Sequence, residues 1–305
     1  MIAYPGRQEA SLTIPSQEGR TAIVTGANAG IGLWTATGLA KAGAQVVMVC
    51  RDPHRGEDAR AAISRAGSRE PDLVIADFAS LKAVHDAANR ILDRHPQIHI
   101  LVNNAGLFAP QRELTVDGYE MTIAINHLAP FLLTNTLLPA LERGGELHRH
   151  ARIVTVASQA ARRANIDLGD LMLSRRYSMM AAYAQSKLAN ILFTKELARR
   201  LPPSPVTANC LHPGVVATGI GSKGGVSGFI WNTLKPVFLS PEKGAVNSLY
   251  VATSPAIEGI SGAYFVKQRP AAANPLAEDR AIASRLWLES QKLVDAALSK
   301  ARVHA

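Results

Sequence analysis

Short apolar runs alternate with longer segments of helical periodicity along almost the whole chain. The apolar runs predict seven strands, TAIVT, QVVMVC, DLVIA before Asp77, IHILV, ARIVTVAS, VTANCLH and GAYFV. They are mostly continuous rather than alternating, which is typical of parallel strands covered on both faces. Strands that alternate with helices in this way indicate a single layered α/β domain.

The segments between the strands predict helices. Ser80 is a suitable N-cap for one of them, and Pro202 with Pro203 would end another. The expected helical ranges are 31–41, an Arg- and Ala-rich stretch after Asp52, 81–94, 118–141, a helix through 183–187 that ends near 201, 242–253 and 274–300. The predicted fold is a doubly wound (Rossmann-type) sheet of about seven mostly parallel strands with helices on both faces. It would occupy residues 21–305 as one domain, after an irregular N-terminal arm at 1–20.

The composition is that of an ordinary globular protein of 305 residues, 47% hydrophobic and 19% charged. A net charge of +9 raises the question of an acidic partner, but the basic residues are scattered, so no nucleic-acid partner is expected. Cys50 and Cys210 each adjoin an apolar run and are expected to be buried thiols. The first twenty residues lack a secretory signal's apolar core, and no apolar run reaches the length of a membrane span. A cytoplasmic protein is expected.

A glycine-containing turn follows the first predicted strand and opens the first helix. Glycines there let the backbone approach a pyrophosphate, and a helix start offers free N–H groups to an anion. The spacing is Gly-x-x-x-Gly-x-Gly, which by itself is also compatible with a plain tight turn. Its position between strand and helix favours dinucleotide binding. The residues predicted to contact the cofactor here are Gly26, Asn28, Gly30, Ile31 and Gly32.

Arg51 follows the second strand, where NAD enzymes usually carry an acidic residue for the ribose hydroxyls. A guanidinium at this position would bind a 2′-phosphate through paired hydrogen bonds, which favours NADP over NAD. Asp52 comes next and would partly offset that preference.

Tyr183 and Lys187 lie one helical turn apart in a predicted helix, so their side chains share a face. A positive charge close to a phenol stabilises the phenolate and lowers its pKa, which would suit proton transfer. Tyr-x-x-x-Lys is a short pattern, and taken alone it also describes an ordinary pair on an amphipathic helix.

Several motifs in order extend this picture. They are Thr25-Gly26-(x)3-Gly30-Ile31-Gly32, Asn103-Asn104-Ala105-Gly106, Asn126, Ser158, Tyr183-(x)3-Lys187 and Pro213-Gly214. The order resembles that of the short-chain dehydrogenase/reductase family over roughly residues 20–270. Cys50-Arg51-Asp52 and the runs 186–194 and 196–198 are most similar to the retinol dehydrogenase group, which acts on lipophilic carbonyls.

The resemblance implies a role for each matching residue. Tyr183 would exchange the proton at the carbonyl oxygen, Lys187 would lower its pKa and bind the nicotinamide ribose, and Ser158 would bind the substrate oxygen. Asn126 would hold a water that links Lys187 to solvent. The further cofactor-binding residues would be Asp77, Asn103, Ala105, Gly106, Pro213, Gly214 and Thr218. No metal is required.

Two segments beyond these motifs bear on the substrate. Residues 159–182 form a long insertion between Ser158 and Tyr183, which fits either a lip over an elongated apolar site or an ordinary surface excursion. Residues 215–238 are rich in glycine and apolar side chains and lie where the family carries a substrate lid. An apolar lid argues for a small lipophilic carbonyl or alcohol as substrate.

Alternative functions remain open at this point. A double-bond reductase of the protochlorophyllide type shares the same core motifs. A non-catalytic NADP-sensing regulator would use the same fold, although loss of Tyr183 or Lys187 would then be expected. By resemblance, the protein would form a homo-oligomer, a dimer or tetramer, through the long helices that flank Asn126 and Tyr183.

Overall fold

Eight strands lie at the centre of the computed structural model, counted over the residues that it describes, 13–148, 150–201, 205–214 and 239–303. They are β1 Thr21–Thr25, β2 Gln45–Cys50, β3 Asp72–Ile75, β4 Ile100–Asn103, β5 Ala151–Val156, β6 Val206–His212, β7 Tyr264–Val266 and β8 Arg269–Pro270. The order across the sheet is β3-β2-β1-β4-β5-β6-β7-β8, and all pairs are parallel except β7 with β8. The doubly wound α/β fold predicted from the sequence is confirmed.

The eighth strand was not predicted. Lys267 and Gln268, the two residues between β7 and β8, both have positive φ angles, 50° and 62°. This is the backbone of a two-residue hairpin turn, which usually carries Asn or Gly. Neither residue type is present, and β8 is exposed and only two residues long, so the sequence shows no sign of it.

The helices flank the sheet on both faces. They are α1 Gly30–Lys41, α2 Pro53–Ala66, α3 Leu81–Arg94, α4 Met121–Ile123, α5 Ala129–His148, α6 Met179–Arg200, α7 Pro241–Thr253 and α8 Arg280–Val303, with a π-helical turn at Ala124–Leu128 joining α4 to α5. Ser80 caps α3 by accepting a hydrogen bond from the Ala83 N–H, as predicted. Residues 13–20 contain neither helix nor strand.

The predicted helix at 118–141 was too short at its C-terminal end. α5 continues through Gly144 and Gly145. A Cβ atom on Gly144 would lie 2.1 Å from the Ile98 carbonyl oxygen, and one on Gly145 would lie 2.5 Å from the Pro205 carbonyl oxygen. The two glycines therefore permit close packing of the helix against backbone and do not end it.

Two apolar cores separate the sheet from its helices. Ile23, Val47 and Val49 face the layer that contains α3, α5 and α6. Ala22 and Val46, their neighbours along the strands, face α1, α2 and α7. Each central strand is buried on both faces, which explains its continuously apolar sequence. Cys50 lies in the second of these cores and Cys210 in a third buried cluster with Leu188 and Leu192 of α6; both thiols are free and buried, as predicted.

α8 packs across α3 and α6 and reaches the aromatic side chains of α5. Its Trp287 lies 4.9 Å from Phe131 of α5 and 5.7 Å from Phe193 of α6, measured between ring centroids. The Arg200 guanidinium covers Trp287 at 4.5 Å, and the His127 imidazole hydrogen-bonds Ser290 at 2.8 Å. The chain's own last helix therefore covers part of the surface of α5 and α6.

The segment Met121–Glu146 is by length and composition apolar enough to cross a membrane. In this structure 78% of its most apolar window is buried inside the protein. It serves as a central helix of the core, a position in which such a composition is also expected.

Candidate active site

The chain reverses its winding direction between β1 and β4, which are neighbours in the sheet although two other strands separate them in sequence. Ligands of doubly wound sheets bind in the crevice that such a reversal opens at the carboxyl ends of the strands. The glycine turn after β1 and the Asn103–Gly106 turn after β4 meet at this edge.

The glycine turn has the geometry of a pyrophosphate cradle. Gly26 and Gly30 have positive φ angles of 66° and 55°, which L-residues with side chains seldom adopt. A Cβ atom on Gly32 would lie 2.3 Å from the Gly26 carbonyl oxygen, so only glycine lets α1 start this close to the strand. Asn28 lies in the turn and Ile31 in the first turn of α1.

The N-terminus of α1 is open to an anion. Its N-cap residue, Ala29, makes no side-chain hydrogen bond, and no acidic residue lies in the first turn. In α2, α3, α4, α6 and α7 the N-cap side chain accepts backbone N–H groups, those residues being Asp52, Ser80, Glu120, Ser178 and Ser240. The first N–H groups of α1 are thus available to the phosphates of a dinucleotide. The residues present fit the nicotinamide cofactor that the sequence predicts.

Thr25 and Asn104 join the two turns at the crevice. The Thr25 hydroxyl accepts hydrogen bonds from the N–H groups of Asn104 and Ala105 at 3.0 and 2.9 Å. The Asn104 side chain donates to the Thr25 carbonyl at 2.8 Å. From the sequence, Asn104 was expected only as part of a turn bordering the adenine half of the cofactor, and the structure shows that its side chain ties the glycine turn to the β4 turn.

Asn103 is placed differently from Asn104. Its side chain is buried and donates to the Thr134 hydroxyl of α5 at 2.9 Å. The side chain therefore faces the protein interior, and only the Asn103 backbone can border a cofactor. Ala105 and Gly106 continue the turn toward Lys187, since a Cβ atom on Gly106 would lie 3.4 Å from the Lys187 Nζ.

Arg51 and Asp77 follow neighbouring strands, because Cys50 of β2 pairs with Ile75 of β3. Both side chains are exposed at the edge expected for the adenosine half of the cofactor. The Asp52 carboxylate accepts a hydrogen bond from the Arg55 N–H as the N-cap of α2, and this bond lowers its pKa. Asp52 is therefore engaged with its own helix. Arg55 brings a second guanidinium to the same helix start, which sequence reasoning missed.

Tyr183 lies in the second turn of α6 with its ring half-buried. The Phe108 ring stacks on it with centroids 3.7 Å apart and an interplanar angle of 16°. Burial raises the pKa of the Tyr183 hydroxyl, and a hydrogen bond with Ser158 opposes this rise. The lowered pKa expected from the Lys187 charge is wrong for this structure, because burial raises the pKa of the phenol and outweighs the opposing effect of Ser158.

Lys187 lies one turn after Tyr183, and its ammonium is 5.6 Å from the tyrosine ring centroid. The Nζ donates to the Val156 carbonyl at the end of β5 at 2.9 Å. Only 4% of the residue is exposed, and burial lowers the pKa of its ammonium to about 8. The predicted pairing of Tyr183 and Lys187 on one helix face is present in the structure.

Asn126 lies in the π-helical turn between α4 and α5. π-helical turns within helices occur frequently at functional sites. Its side chain donates to the Ser186 hydroxyl at 2.9 Å and makes two hydrogen bonds with the backbone of Leu107. Asn126 therefore connects α6 to the loop after β4. Its side chain is committed to protein partners, so a water would have to use its backbone.

Ser158 follows β5 and begins a 3₁₀ turn at Gln159–Arg163, where its hydroxyl accepts from the Ala160 N–H at 3.2 Å. The same hydroxyl lies close enough to the Tyr183 phenol to lower its pKa, so the two predicted catalytic side chains are near each other. Pro213 and Gly214 follow β6 at the same edge of the sheet, and Gly214 has a φ of 95°. Thr218 and the predicted lid at 215–238 lie outside the described residues.

Among the residues that the structure describes, no group of three His, Cys, Asp or Glu side chains is arranged to hold a metal ion. The functional groups gathered at the strand ends are a phenol, an ammonium, a hydroxyl and an uncapped helix start. This set is suited to proton transfer beside a bound dinucleotide.

Comparison with known proteins agrees with this arrangement. Residues 20–225 match the family described as short chain dehydrogenase. Over 290 residues the chain is 42% identical to retinol dehydrogenase 13 of Homo sapiens, an alignment that covers 92% of this chain and 86% of that protein.

Two solved structures are similar in fold. An uncharacterised protein from Mycobacterium paratuberculosis superimposes with a TM-score of 0.75 at 35% identity, over 92% of this chain and 96% of that one. The RhlG/NADP active-site complex from Pseudomonas aeruginosa gives a TM-score of 0.66 at 26% identity, over 82% and 95% of the two chains. The chain belongs to the short-chain dehydrogenase/reductase family, in its retinol dehydrogenase-like group, and is an NAD(P)-dependent oxidoreductase acting on alcohols and carbonyls.

Proposed function

We propose that the protein transfers a hydride between NADP and a lipophilic carbonyl or alcohol, with Tyr183 as the general acid and base. The observation that carries this proposal is the buried Lys187 ammonium, held at the end of β5 and 5.6 Å from the Tyr183 ring centroid, with Ser158 near enough to the phenol to affect its pKa. When bound, the nicotinamide supplies the hydride, and the protein residues hold the substrate oxygen and move the proton.

The protonation states suit carbonyl reduction at neutral pH. Because burial raises the pKa of Tyr183, its hydroxyl is protonated and able to donate to an oxygen that gains negative charge. The Ser158 hydroxyl is placed to hydrogen-bond the same oxygen and to stabilise that charge. The Lys187 ammonium adds a positive charge next to the phenol and stabilises the phenolate left after proton transfer.

Two observations support an apolar substrate. Retinol, named in the human relative's description, is a lipophilic alcohol. Within this chain, the side chain that covers Tyr183 is the apolar ring of Phe108. A charged substrate would lose its hydration against this apolar ring.

An NADPH-oxidation assay with product analysis tests the proposal. Aldehydes and ketones with apolar chains are expected to consume NADPH and to yield the corresponding alcohols. Reduction of the C=C bond of an enone, with the carbonyl intact, would instead identify a double-bond reductase. Tight NADPH binding without turnover of any carbonyl or enone would identify a cofactor-sensing regulator.

The preference for NADP rests on Arg51, which we propose binds the 2′-phosphate with help from Arg55. Arg51→Ala is expected to weaken NADPH binding by about ten- to a hundredfold, the effect of losing a charge-assisted paired hydrogen bond, while changing NADH binding little. Fluorescence titration with both cofactors measures this.

Arg60→Ala is the matched control for Arg51→Ala. Arg60 lies further along α2 and is paired with Glu57 at 2.8 Å, away from the strand ends. It should leave both affinities unchanged. An equal loss of NADPH and NADH affinity in Arg51→Ala would show that Arg51 does not recognise the 2′-phosphate.

A cytoplasmic location and a homo-oligomer remain proposals. Since α8 covers part of α5 and α6 through Trp287, a dimer contact on these helices would have to include α8 or avoid the covered surface. Light scattering on the purified protein determines the number of copies.

A further inference from the structure

The insertion at 159–182 is an ordered part of the active-site wall. Asp170 holds its central turn, accepting hydrogen bonds from the Ser174 N–H at 2.8 Å and the Ser174 hydroxyl at 2.6 Å. Leu173 lies in this turn with a positive φ of 47°, a conformation that a leucine adopts only when its surroundings enforce it. An irregular surface excursion would not need such a turn.

Gln185 attaches the insertion to the catalytic helix. It lies on α6 between Tyr183 and Lys187 and is buried. Its side chain accepts from the Asp167 N–H at 3.2 Å and donates to the Leu171 carbonyl at 3.1 Å. One side chain of α6 thereby binds two backbone groups of the insertion.

The other side of the insertion holds the loop that follows β4. The Tyr177 hydroxyl donates to the Ala109 carbonyl at 2.6 Å, and the Arg112 Nε donates to the Met172 carbonyl at 3.1 Å. The insertion therefore bridges the helix that carries Tyr183 and the loop that carries Phe108.

Phe108 is held on both sides along the chain. Asn126 bonds both backbone groups of Leu107, at 2.8 and 3.0 Å, and Tyr177 bonds the carbonyl of Ala109. Between these two anchors the Phe108 ring lies parallel to the Tyr183 ring at 3.7 Å. The stacking is thus the outcome of two independent attachments.

We propose that Phe108 is a specificity-determining residue of the active site and that Tyr177 is the positioning residue by which the insertion holds the Phe108 ring against Tyr183. This inference rests on the proposed function. A substrate oxygen that reaches the Tyr183 hydroxyl brings its neighbouring carbon atoms to the edge of the stacked pair. A flat apolar group fits beside the rings, whereas a puckered group of equal size collides with the Phe108 ring or loses contact with it.

The test compares two aldehydes with the same number of carbon atoms, benzaldehyde, which is flat, and cyclohexanecarboxaldehyde, which is puckered. The measured quantity is the ratio of their kcat/KM values with NADPH. Phe108→Leu is expected to lower the ratio about tenfold, mainly through KM for benzaldehyde, because it removes the aromatic face. Phe108→Tyr keeps the ring and should restore the ratio to within about twofold of the wild type.

The role of Tyr177 is tested by coupling. Tyr177→Phe removes only the hydroxyl and is expected to lower the ratio about threefold. In a Phe108→Leu background the same change should have no further effect, because Tyr177 acts through Phe108. Arg176→Ala, an exposed change in the same insertion, serves as the control and should leave the ratio unaltered.

Calorimetric binding of benzyl alcohol and cyclohexylmethanol to the NADPH-loaded protein gives a second readout without turnover, because an alcohol cannot transfer a hydride to the reduced cofactor. A wild-type preference for benzyl alcohol over cyclohexylmethanol that falls in both Phe108→Leu and Tyr177→Phe supports the proposal. The proposal would be overturned if Phe108→Leu had the same kcat/KM ratio and the same affinities for the two alcohols as the wild type. It would also be overturned if Tyr177→Phe lowered the ratio as much in the Phe108→Leu background as in the wild type. Absence of turnover in the wild type would contradict the proposed function, and the binding comparison would still decide the role of Phe108.

Discussion

Tyr183→Phe is expected to lower kcat for carbonyl reduction by about 10³-fold, the range typical of losing a positioned proton donor. The change removes one oxygen atom from the group that contacts Ser158 and leaves the aromatic ring in place. Because the Phe108 stack needs only the ring, the fold and the substrate pocket should be preserved. NADPH affinity should stay within a few-fold of the wild type, so the loss would be in the chemical step.

Tyr119→Phe is the matched control for this experiment. The Tyr119 hydroxyl donates to the Leu293 carbonyl of α8 at 2.7 Å and takes no part in the arrangement at the strand ends. Its removal should cost about 1 kcal/mol of unfolding free energy and leave kcat within about twofold of the wild type. A kcat for Tyr183→Phe within tenfold of the wild type would mean that another group supplies the proton.

Lys187→Met is expected to lower kcat/KM by about a hundredfold or more and, at neutral pH, to make the protein more stable. The activity falls because the positive charge beside the Tyr183 ring is lost. Stability rises because a nearly fully buried ammonium is replaced by an apolar chain of similar length. The gain is at most about 3 kcal/mol, since the pKa of about 8 lies below the ordinary lysine value near 10.4.

The stability gain of Lys187→Met over the wild type should fall as the pH rises. Below pH 8 both the folded and the unfolded wild type carry the Lys187 proton, so the cost of burying the charge is fully present. Between pH 8 and about 10 the folded protein loses that proton while the unfolded chain keeps it, so the wild type gains stability with rising pH. The advantage of Lys187→Met should therefore be greatest at pH 7 and nearly gone at pH 10.

Denaturant unfolding of the wild type and Lys187→Met between pH 7 and 10 measures the difference in their unfolding free energies. The contributions of titrating groups that the two proteins share cancel in this difference. Lys195→Met on the same helix is the control, because Lys195 is paired with Glu278 at 3.0 Å and has no comparable burial cost to release. A Lys187→Met protein less stable than the wild type at pH 7 would show that the bond to Val156 outweighs the desolvation of the ammonium.

Much of the fold could be predicted because its signals are local. The continuous apolar runs marked all seven parallel strands, and Ser80 marked the start of α3. The errors arose where a distant backbone decides the local structure. Gly144 and Gly145 are needed for packing against Ile98 and Pro205, far away in sequence, and α5 continues through them.

The candidate site, like the fold, was predicted from the sequence only in part. Tyr183, Lys187 and Ser158 were placed together from residue types and order, and the structure brings all three to the end of β5. The direction of the Tyr183 pKa and the inward orientation of Asn103 were not predictable, because both depend on burial.

The sequence by itself determined that this chain is a doubly wound dinucleotide-binding protein with a Tyr–Lys pair, since periodicity, glycine spacing and motif order are properties of neighbouring residues. Only the tertiary structure decided what surrounds that pair. The Phe108 ring on Tyr183, the Tyr177 bond to Ala109 and the cover of α8 over Phe131 join residues that lie far apart in the sequence. Such contacts form when separate segments pack into one core, and no local pattern encodes them.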